Sequence, residues 1–506
     1  MTASTRRRFR FPIVLALFGL LTGTLICAQV VQRDWPSERP PRPLEPRPVV
    51  FPPYEVRTLE NGLTVVVVRH TEQPVVSLRM LVRAGSAQDP EDKPGVAAMV
   101  ATLLDQGTTT RSATEIADYI DFIGGGLGAG AGTDLSYANA ILLKSSFDKG
   151  LDLLADVIRN PAFAPEELER QREQVLSGLK VSYQDPDFVA SVVIDRLIFG
   201  FHPYGRPANG TPESLAAITR EDLVEFHKRW YHPNNSLLAI VGDIGIDQAF
   251  AGAERVFGSW PRGEIPQITS VDPPEPTRRV VVVDRPNAVQ TEIRVGQLAI
   301  RRNHQDYMPL NLAVKILGGE GGNRLQGVLR SERGLTYGAS ADMDAFQRAG
   351  AIVADTDTRT ETTAEALRLT VDEFFRLQRE PVSRLELGGA QAFLAGNFPL
   401  TIETPDAIAL QVLNALFYGL DLKELPTYPE RVNAVSPEDI QRVAKAYLRP
   451  NRLSVVLVGD ASKFLDDLKG VGFDNVEVVK LDELDLTAVN LRRSQRVASS
   501  QPSAAR

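Results

Sequence analysis

Cysteine is almost missing from this chain. Its 506 residues include one, Cys27, so no disulfide within the chain can staple the fold. Histidine is scarce too. His70, His202, His227, His232 and His304 are the whole set, and no two stand four apart, the spacing that puts two imidazoles on one helical face. Positive charge is not in surplus. The 56 basic and 64 acidic residues leave a net charge of −8, which gives no electrostatic footprint for nucleic acid. After residue 26 no apolar run is long enough to span a bilayer. What remains, 43% hydrophobic and 24% charged, is an ordinary globular composition with length enough for two full cores.

The first residues read as an export signal. Arg6, Arg7, Arg8 and Arg10 precede an apolar run over residues 11–26, and Ile26-Cys27-Ala28 offers a cleavage site. The organisation expected is a signal peptide over 1–28, a proline-rich linker over 29–52, two domains over 53–273 and 274–486, and a disordered tail over 487–506. The protein is expected to be exported, to a bacterial periplasm. Lipidation at Cys27 and an uncleaved anchor are the alternatives. Eight prolines between residues 36 and 53 make the linker stiff and extended.

The two-domain reading rests on an internal repeat. Thr219-Arg-Glu-Asp-Leu leads to Tyr231-His-Pro-Asn-Asn and Val241-Gly-Asp243; Ser436-Pro-Glu-Asp-Ile leads to Leu448-Arg-Pro-Asn-Arg and Val458-Gly-Asp460. The offset is constant and ungapped. Each copy has a Ser/Thr helix cap with acids in the first turn, a Pro-Asn turn and an apolar strand. Strands are expected at 63–69 and 75–82, and helices at 95–104, 113–122, 147–158 and 165–183. The fold class is α+β. The glycine run 124–132 reads as a turn before a strand.

Certain segments, taken in order, resemble the pitrilysin/insulinase family of zinc peptidases, in the two-domain branch that includes mitochondrial processing peptidase. They are Leu59-Glu-Asn-Gly-Leu-Thr64, Gly95 to Thr108, Arg159-Asn-Pro-Ala-Phe163, His202-Pro-Tyr-Gly-Arg-Pro207, Tyr231-His-Pro-Asn234 and Gly334-Leu-Thr-Tyr337. The resemblance covers residues 53–486 and implies two homologous mixed α/β domains that together form half of a clam-shell chamber. That family binds zinc through H-x-x-E-H and a downstream glutamate. Here the two histidine positions fall on Ala98 and Thr102, the catalytic base on Ala101 and the third ligand on Gly178. A second acidic position falls on Gln171. The resemblance therefore implies a scaffold with no metal ligands of its own.

The same resemblance implies that Arg330 and Tyr337 are retained auxiliary groups. In the family this pair comes from the half opposite the zinc and donates hydrogen bonds near the scissile carbonyl. The plain alternative pairs Arg330 with a surface acid and half-buries Tyr337 in a strand. Gly318, Gly319, Glu320, Gly321 and Gly322 resemble the substrate-admitting glycine loop of the non-catalytic processing-peptidase subunit; a simple connection is the alternative. The loop lacks the Gly-Lys-Ser/Thr ending of a phosphate loop.

The expectation is a non-catalytic, substrate-binding subunit of a heterodimeric zinc endopeptidase acting on unfolded peptides. It carries no cofactor itself. A homologous catalytic partner with intact H-x-x-E-H supplies the zinc. The alternative is a peptide-binding or chaperone-like module that needs no partner. A structural subunit of a membrane complex and an autonomous peptidase rank below both. His202 and His232 are expected in turns and His227 on a solvated helix face.

Overall fold

The computed structural model describes residues 50–267, 272–275, 277–319 and 322–493. The expected signal peptide, most of the linker, Glu320, Gly321 and the end of the tail lie outside the described residues.

Each half builds a six-stranded sheet. The first contains β1 (Tyr54–Thr58), β2 (Thr64–Arg69), β3 (Val75–Val82), β4 (Gly126–Ala131), β5 (Ser136–Leu143) and β6 (Ser236–Gly242), in the order β1-β2-β6-β3-β5-β4. The second contains β7 (Val280–Asp284), β8 (Gln290–Ala299), β9 (Ala339–Ala345), β10 (Gly350–Arg359), β11 (Ser454–Gly459) and β12 (Val476–Lys480), in the order β12-β7-β11-β8-β10-β9. β2 and β6 run parallel, as do β7 and β11. The corresponding strands of the two sheets therefore occupy the same places. The repeat seen in the sequence is a repeat of structure. Thr219 and Ser436 each cap a helix reciprocally with the acid three residues on, Asp222 and Asp439.

The edge strand beside the central pair breaks this symmetry. β1 precedes β2 and pairs with it antiparallel. β12 comes last in its half and pairs with β7 parallel.

The central strands are valine-rich and buried on both faces. Val65, Val66, Val67 and Val68 are all fully buried, so each sheet needs cover on both sides. Helices of its own half cover one side, including Val96–Leu103 and Phe147–Arg159 in the first half and Tyr307–Gly318 and Thr363–Arg379 in the second. The other side is covered by exchange. Helix Pro186–Phe199, from the first half, lays Val189, Val193 and Ile194 on Val281, Val283, Val456 and Val458 of the second sheet. Helix Pro405–Phe417, from the second half, lays Ile408, Val412 and Leu413 on Val66, Val68, Leu237 and Val241 of the first. Each half thus completes the core of the other.

Three readings from the sequence change. The glycine run is not a turn: residues 126–131 form β4, an edge strand of the first sheet. At Gly130 a Cβ would stand 2.6 Å from the Tyr137 hydroxyl across the pair, so the Tyr137 ring would have to move. The tail starts later than residue 487, since Leu491 is fully buried and its carbonyl accepts from Asp485 N at 2.9 Å. The linker ends sooner, because Phe51 is buried with the first sheet's outer core. Among the described residues no helix is long and apolar enough to cross a membrane.

Candidate functional site

Helix Val96–Leu103 carries Ala98, Ala101 and Thr102. Asp89 holds its start: the carboxylate accepts from Gly95 N and Ala97 N, each at 2.7 Å. Burial pushes the Asp89 carboxyl up to about 7, against these hydrogen bonds. Ala98 and Thr102 are half-buried on one face of the helix, and Ala101 is fully buried. On helix Pro165–Ser182, Gln171 is buried, whereas Gly178 is exposed, and a Cβ there would meet nothing within 4 Å. Two alanines, a glycine and one threonine hydroxyl do not make a zinc site, so these residues do not fit the metal. Among the described residues no three His, Cys, Asp or Glu side chains are grouped to hold an ion.

The histidines are used locally. Nδ1 of His202 accepts from Tyr204 N at 3.1 Å, and Nδ1 of His304 accepts from Asp306 N at 3.0 Å. His232 Nε2 lies 2.8 Å from Lys228 O. His227 departs from the expected solvated face. Its ring stacks on Tyr231 at 4.6 Å and its Nε2 lies 2.7 Å from Ile158 O. Burial drives its pKa down to about 4, so the ring is neutral and acts as a packing group.

Arg330 and Tyr337 sit on a firmly held segment. Arg330 lies in a π-helical turn, Gln326–Glu332. Leu335 is buried behind it, its N–H donating to Leu329 O at 2.8 Å and its carbonyl accepting from Thr358 Oγ1 at 2.8 Å. Thr336 Oγ1 donates to Gly338 O at 2.7 Å and lies 3.2 Å from Asp357 Oδ1. The backbone on both sides of Tyr337 is therefore fixed, yet its ring is 86% exposed. Tyr337 precedes β9 rather than lying in it. Arg330 is exposed and forms no ion pair with a described residue. Among the described residues neither side chain has an ion-pair or ring partner.

The glycine loop divides. Gly318 closes helix Tyr307–Gly318 against β9, where a Cβ would run into the backbone nitrogen of Ala341. Its smallness is a packing requirement. Gly322 is exposed and a Cβ there would meet nothing.

Next to this loop is a cleft that the sequence reading missed. Arg294 on β8 is 6% exposed. Its guanidinium pairs with Asp187 and stands 3.3 Å from Glu292. Strand register places Asp355 opposite Arg294 and Asp357 opposite Glu292. These residues, with Gly318, Gly319, Gln326, Gly338 and Ser340, line a cavity of about 470 Å³. Burial first, then Asp357, Asp355 and Asp185, push the Glu292 carboxyl up to about 7. The signal was present: charges two apart in adjacent strands, Glu292/Arg294 and Asp355/Asp357, mark one sheet face.

Comparison with known proteins agrees with this architecture. The model for insulinase (peptidase family M16) matches residues 64–211, and that for the peptidase M16 inactive domain matches residues 217–394. A protein from Mycobacterium tuberculosis named as a zinc protease is 29% identical over 414 residues, covering 80% of this chain and 93% of its own length. A Helicobacter pylori protein named a non-peptidase homolog is 24% identical over 398 residues, covering 77% and 90%. The crystal structure of a peptidase M16 inactive domain from Pseudomonas fluorescens superposes with TM-score 0.76 at 29% identity, covering 80% of this chain and 98% of that one. A Helicobacter pylori protease shares the fold, with TM-score 0.75 at 22% identity over 81% of this chain and all of the other.

Proposed function

Since this chain belongs to the insulinase (M16) peptidase family, we propose that it is the non-catalytic, substrate-binding subunit of a heterodimeric zinc endopeptidase that acts on unfolded peptides outside the cytoplasm. A homologous partner with intact H-x-x-E-H holds the zinc. This chain lends Arg330 and Tyr337, whose guanidinium and phenol donate hydrogen bonds to the charge that develops on the scissile carbonyl oxygen. One contrast carries the reading. Ala98, Ala101, Thr102 and Gly178 offer no metal chemistry, while Arg330 and Tyr337 are exposed donors on a backbone pinned by Leu335, Thr336 and Thr358. A surface tyrosine held this rigidly has no role in the core.

A second reading keeps the peptide and drops the partner: the chain binds unfolded peptide by itself. The Helicobacter pylori relative named a non-peptidase homolog favours it.

The test is cleavage of an unstructured peptide by this protein alone, by a homologous H-x-x-E-H protein from the same genome alone, and by the two mixed, with and without a chelator. Chelator-sensitive cleavage that rises strongly on mixing is expected. No gain on mixing, with peptide bound by this chain alone, would replace the first reading with the second.

A further inference from the structure

A smaller cavity, of about 270 Å³, opens among the helices of the second half and shares no lining residue with the cleft around Arg294. Aromatic rings make its walls: Tyr307, Phe398, Tyr418 and Tyr428. Phe398 and Tyr428 stack at 4.7 Å, and the Arg302 guanidinium lies over the Tyr307 ring at 3.9 Å. Three charged side chains line the space. Arg431 and Glu424 are paired with each other. Arg302 is left without an acid among the described residues. The hydroxyls of Tyr307, Tyr418 and Tyr428 make no hydrogen bond with a described residue either. Asp134, the charge that acts most on the Tyr418 hydroxyl, is committed to Tyr204 at 2.6 Å and to Gln347 N at 2.8 Å.

These groups are donors of one kind. A guanidinium donates only, and a neutral phenol has a proton to give. Burial pushes Tyr418 up to about 12 and raises Tyr428, so both hydroxyls keep their protons at neutral pH. Donors that line one cavity with an arginine that has no acid partner among the described residues fit a planar anion with two acceptor oxygens. The stacked rings fit an apolar or aromatic body beside that anion. The volume lies below the usual span of ligand pockets, about 300–1,000 Å³, and so suits one large residue rather than a length of chain.

We propose that this pocket binds the terminal carboxylate and side chain of an aromatic residue at the C-terminus of a peptide. Arg302 and the tyrosine hydroxyls hold the carboxylate, and Phe398 with Tyr428 stacks on the ring. The site involves neither Arg330 nor a catalytic partner, so it stands or falls separately from the function proposed above.

Fluorescence anisotropy of dansyl-Ala-Ala-Phe on the full chain tests it, with the C-terminal amide as control and N-acetylphenylalanine as competitor. The free acid is expected to bind saturably and about tenfold more tightly than the amide, the scale of a charge-assisted contact. Arg302→Gln should remove that preference and leave amide binding as it was, with an unchanged circular dichroism melt. Tyr428→Phe keeps the ring and should weaken only the acid. Competition by N-acetylphenylalanine at concentrations like those of the peptide would confine recognition to the terminal residue, as proposed. Calorimetric binding of N-acetylphenylalanine with no saturable binding of dansyl-Ala-Ala-Phe would make free aromatic acids the ligand and overturn the peptide assignment. Equal binding of acid and amide, a preference that survives Arg302→Gln, or no saturable binding would overturn the site.

Discussion

Arg79 and Asp406 join the two halves through a contact that the fold repeats elsewhere. Nη1 of Arg79, on β3, lies 3.1 and 3.2 Å from the two carboxylate oxygens of Asp406, in the first turn of helix Pro405–Phe417. Ser77 donates to the same carboxylate at 3.2 Å. In the other half, Arg294 on β8 pairs with Asp187, in the first turn of helix Pro186–Phe199. β3 and β8 hold the same place in their sheets, and each helix is the one its half lends to the other sheet. Both exchanged helices are thus fastened at their N-termini by an acid to an arginine of the receiving sheet.

Breaking the first fastening should loosen both halves. Asp406→Asn is expected to lower the free energy of unfolding by about 1–2 kcal/mol, because Arg79 is left mostly buried without its carboxylate. Denaturant unfolding of Asp406→Asn, Arg79→Met and the double variant measures the coupling. Additive losses would mean that the pair contributes no interaction of its own.

The second fastening sits among carboxylates and should respond to pH. Glu292 has a native value near 7, against an ordinary value of 4.5. A carboxyl raised on folding binds protons more readily in the native state, so its cost is absent below about 4.5, grows as pH rises to about 7 and persists above. Glu292→Gln should therefore be more stable than the parent at pH 8, with the difference fading towards pH 4.5. Thermal melts of both proteins across this range decide it; a difference that does not change with pH would contradict the assignment.

The positions matched to the family's ligands predict a gain of metal on substitution. Ala98 and Thr102 share a helical face, and Gly178 has room for a side chain. The triple variant Ala98→His/Thr102→His/Gly178→Glu should take up about one equivalent of Zn²⁺, as three protein ligands of this set do in catalytic sites. Competition against a chromophoric chelator measures it, and the parent chain should show no such uptake. Failure of the triple variant would mean that the three positions do not converge.

Two glycines of one loop should answer differently. Gly318→Ala forces a Cβ into the Ala341 backbone and should cost about 1–3 kcal/mol of stability. Gly322→Ala meets open space and should leave the melting temperature unchanged. Any loss of peptide binding in Gly322→Ala then reports on the loop's function and not on its packing.

Arg330→Ala should separate catalysis from folding. The side chain is exposed and unpaired among the described residues, so stability should not change. With the zinc-bearing partner, kcat/KM should fall by about 10²–10³, the usual loss for one donor to a developing oxyanion. An unchanged rate would remove Arg330 from the site.

Local chemistry made much of the fold readable. The caps at Thr219 and Ser436, the Pro-Asn turns and the apolar runs of β2 and β6 are decided by neighbouring residues, and the structure keeps them where the sequence put them. The residues absent from the metal positions were equally plain, because a missing imidazole needs no coordinates to be noticed. The glycine run misled because glycine favours turns only when nothing else claims the backbone. In β4 the cross-strand pairing with β5 claims it, and at Gly130 the Tyr137 ring fills the space a side chain would have taken.

The sequence by itself determined that there are two similar halves, each α+β, that positions 98, 101, 102 and 178 carry alanine, alanine, threonine and glycine, and that Arg330 and Tyr337 stand seven residues apart. Only the tertiary structure decided that each half lends a helix to the other, that β1 and β12 fill one edge from opposite directions, and that Glu292, Arg294, Asp355 and Asp357 share a cleft with Asp187. The physical reason is range. Caps, turns and strand patterns are short-range and are written in adjacent residues. Which helix covers the bare face of a sheet is settled by long-range burial of apolar surface, and many sequences with the same local pattern could have settled it otherwise.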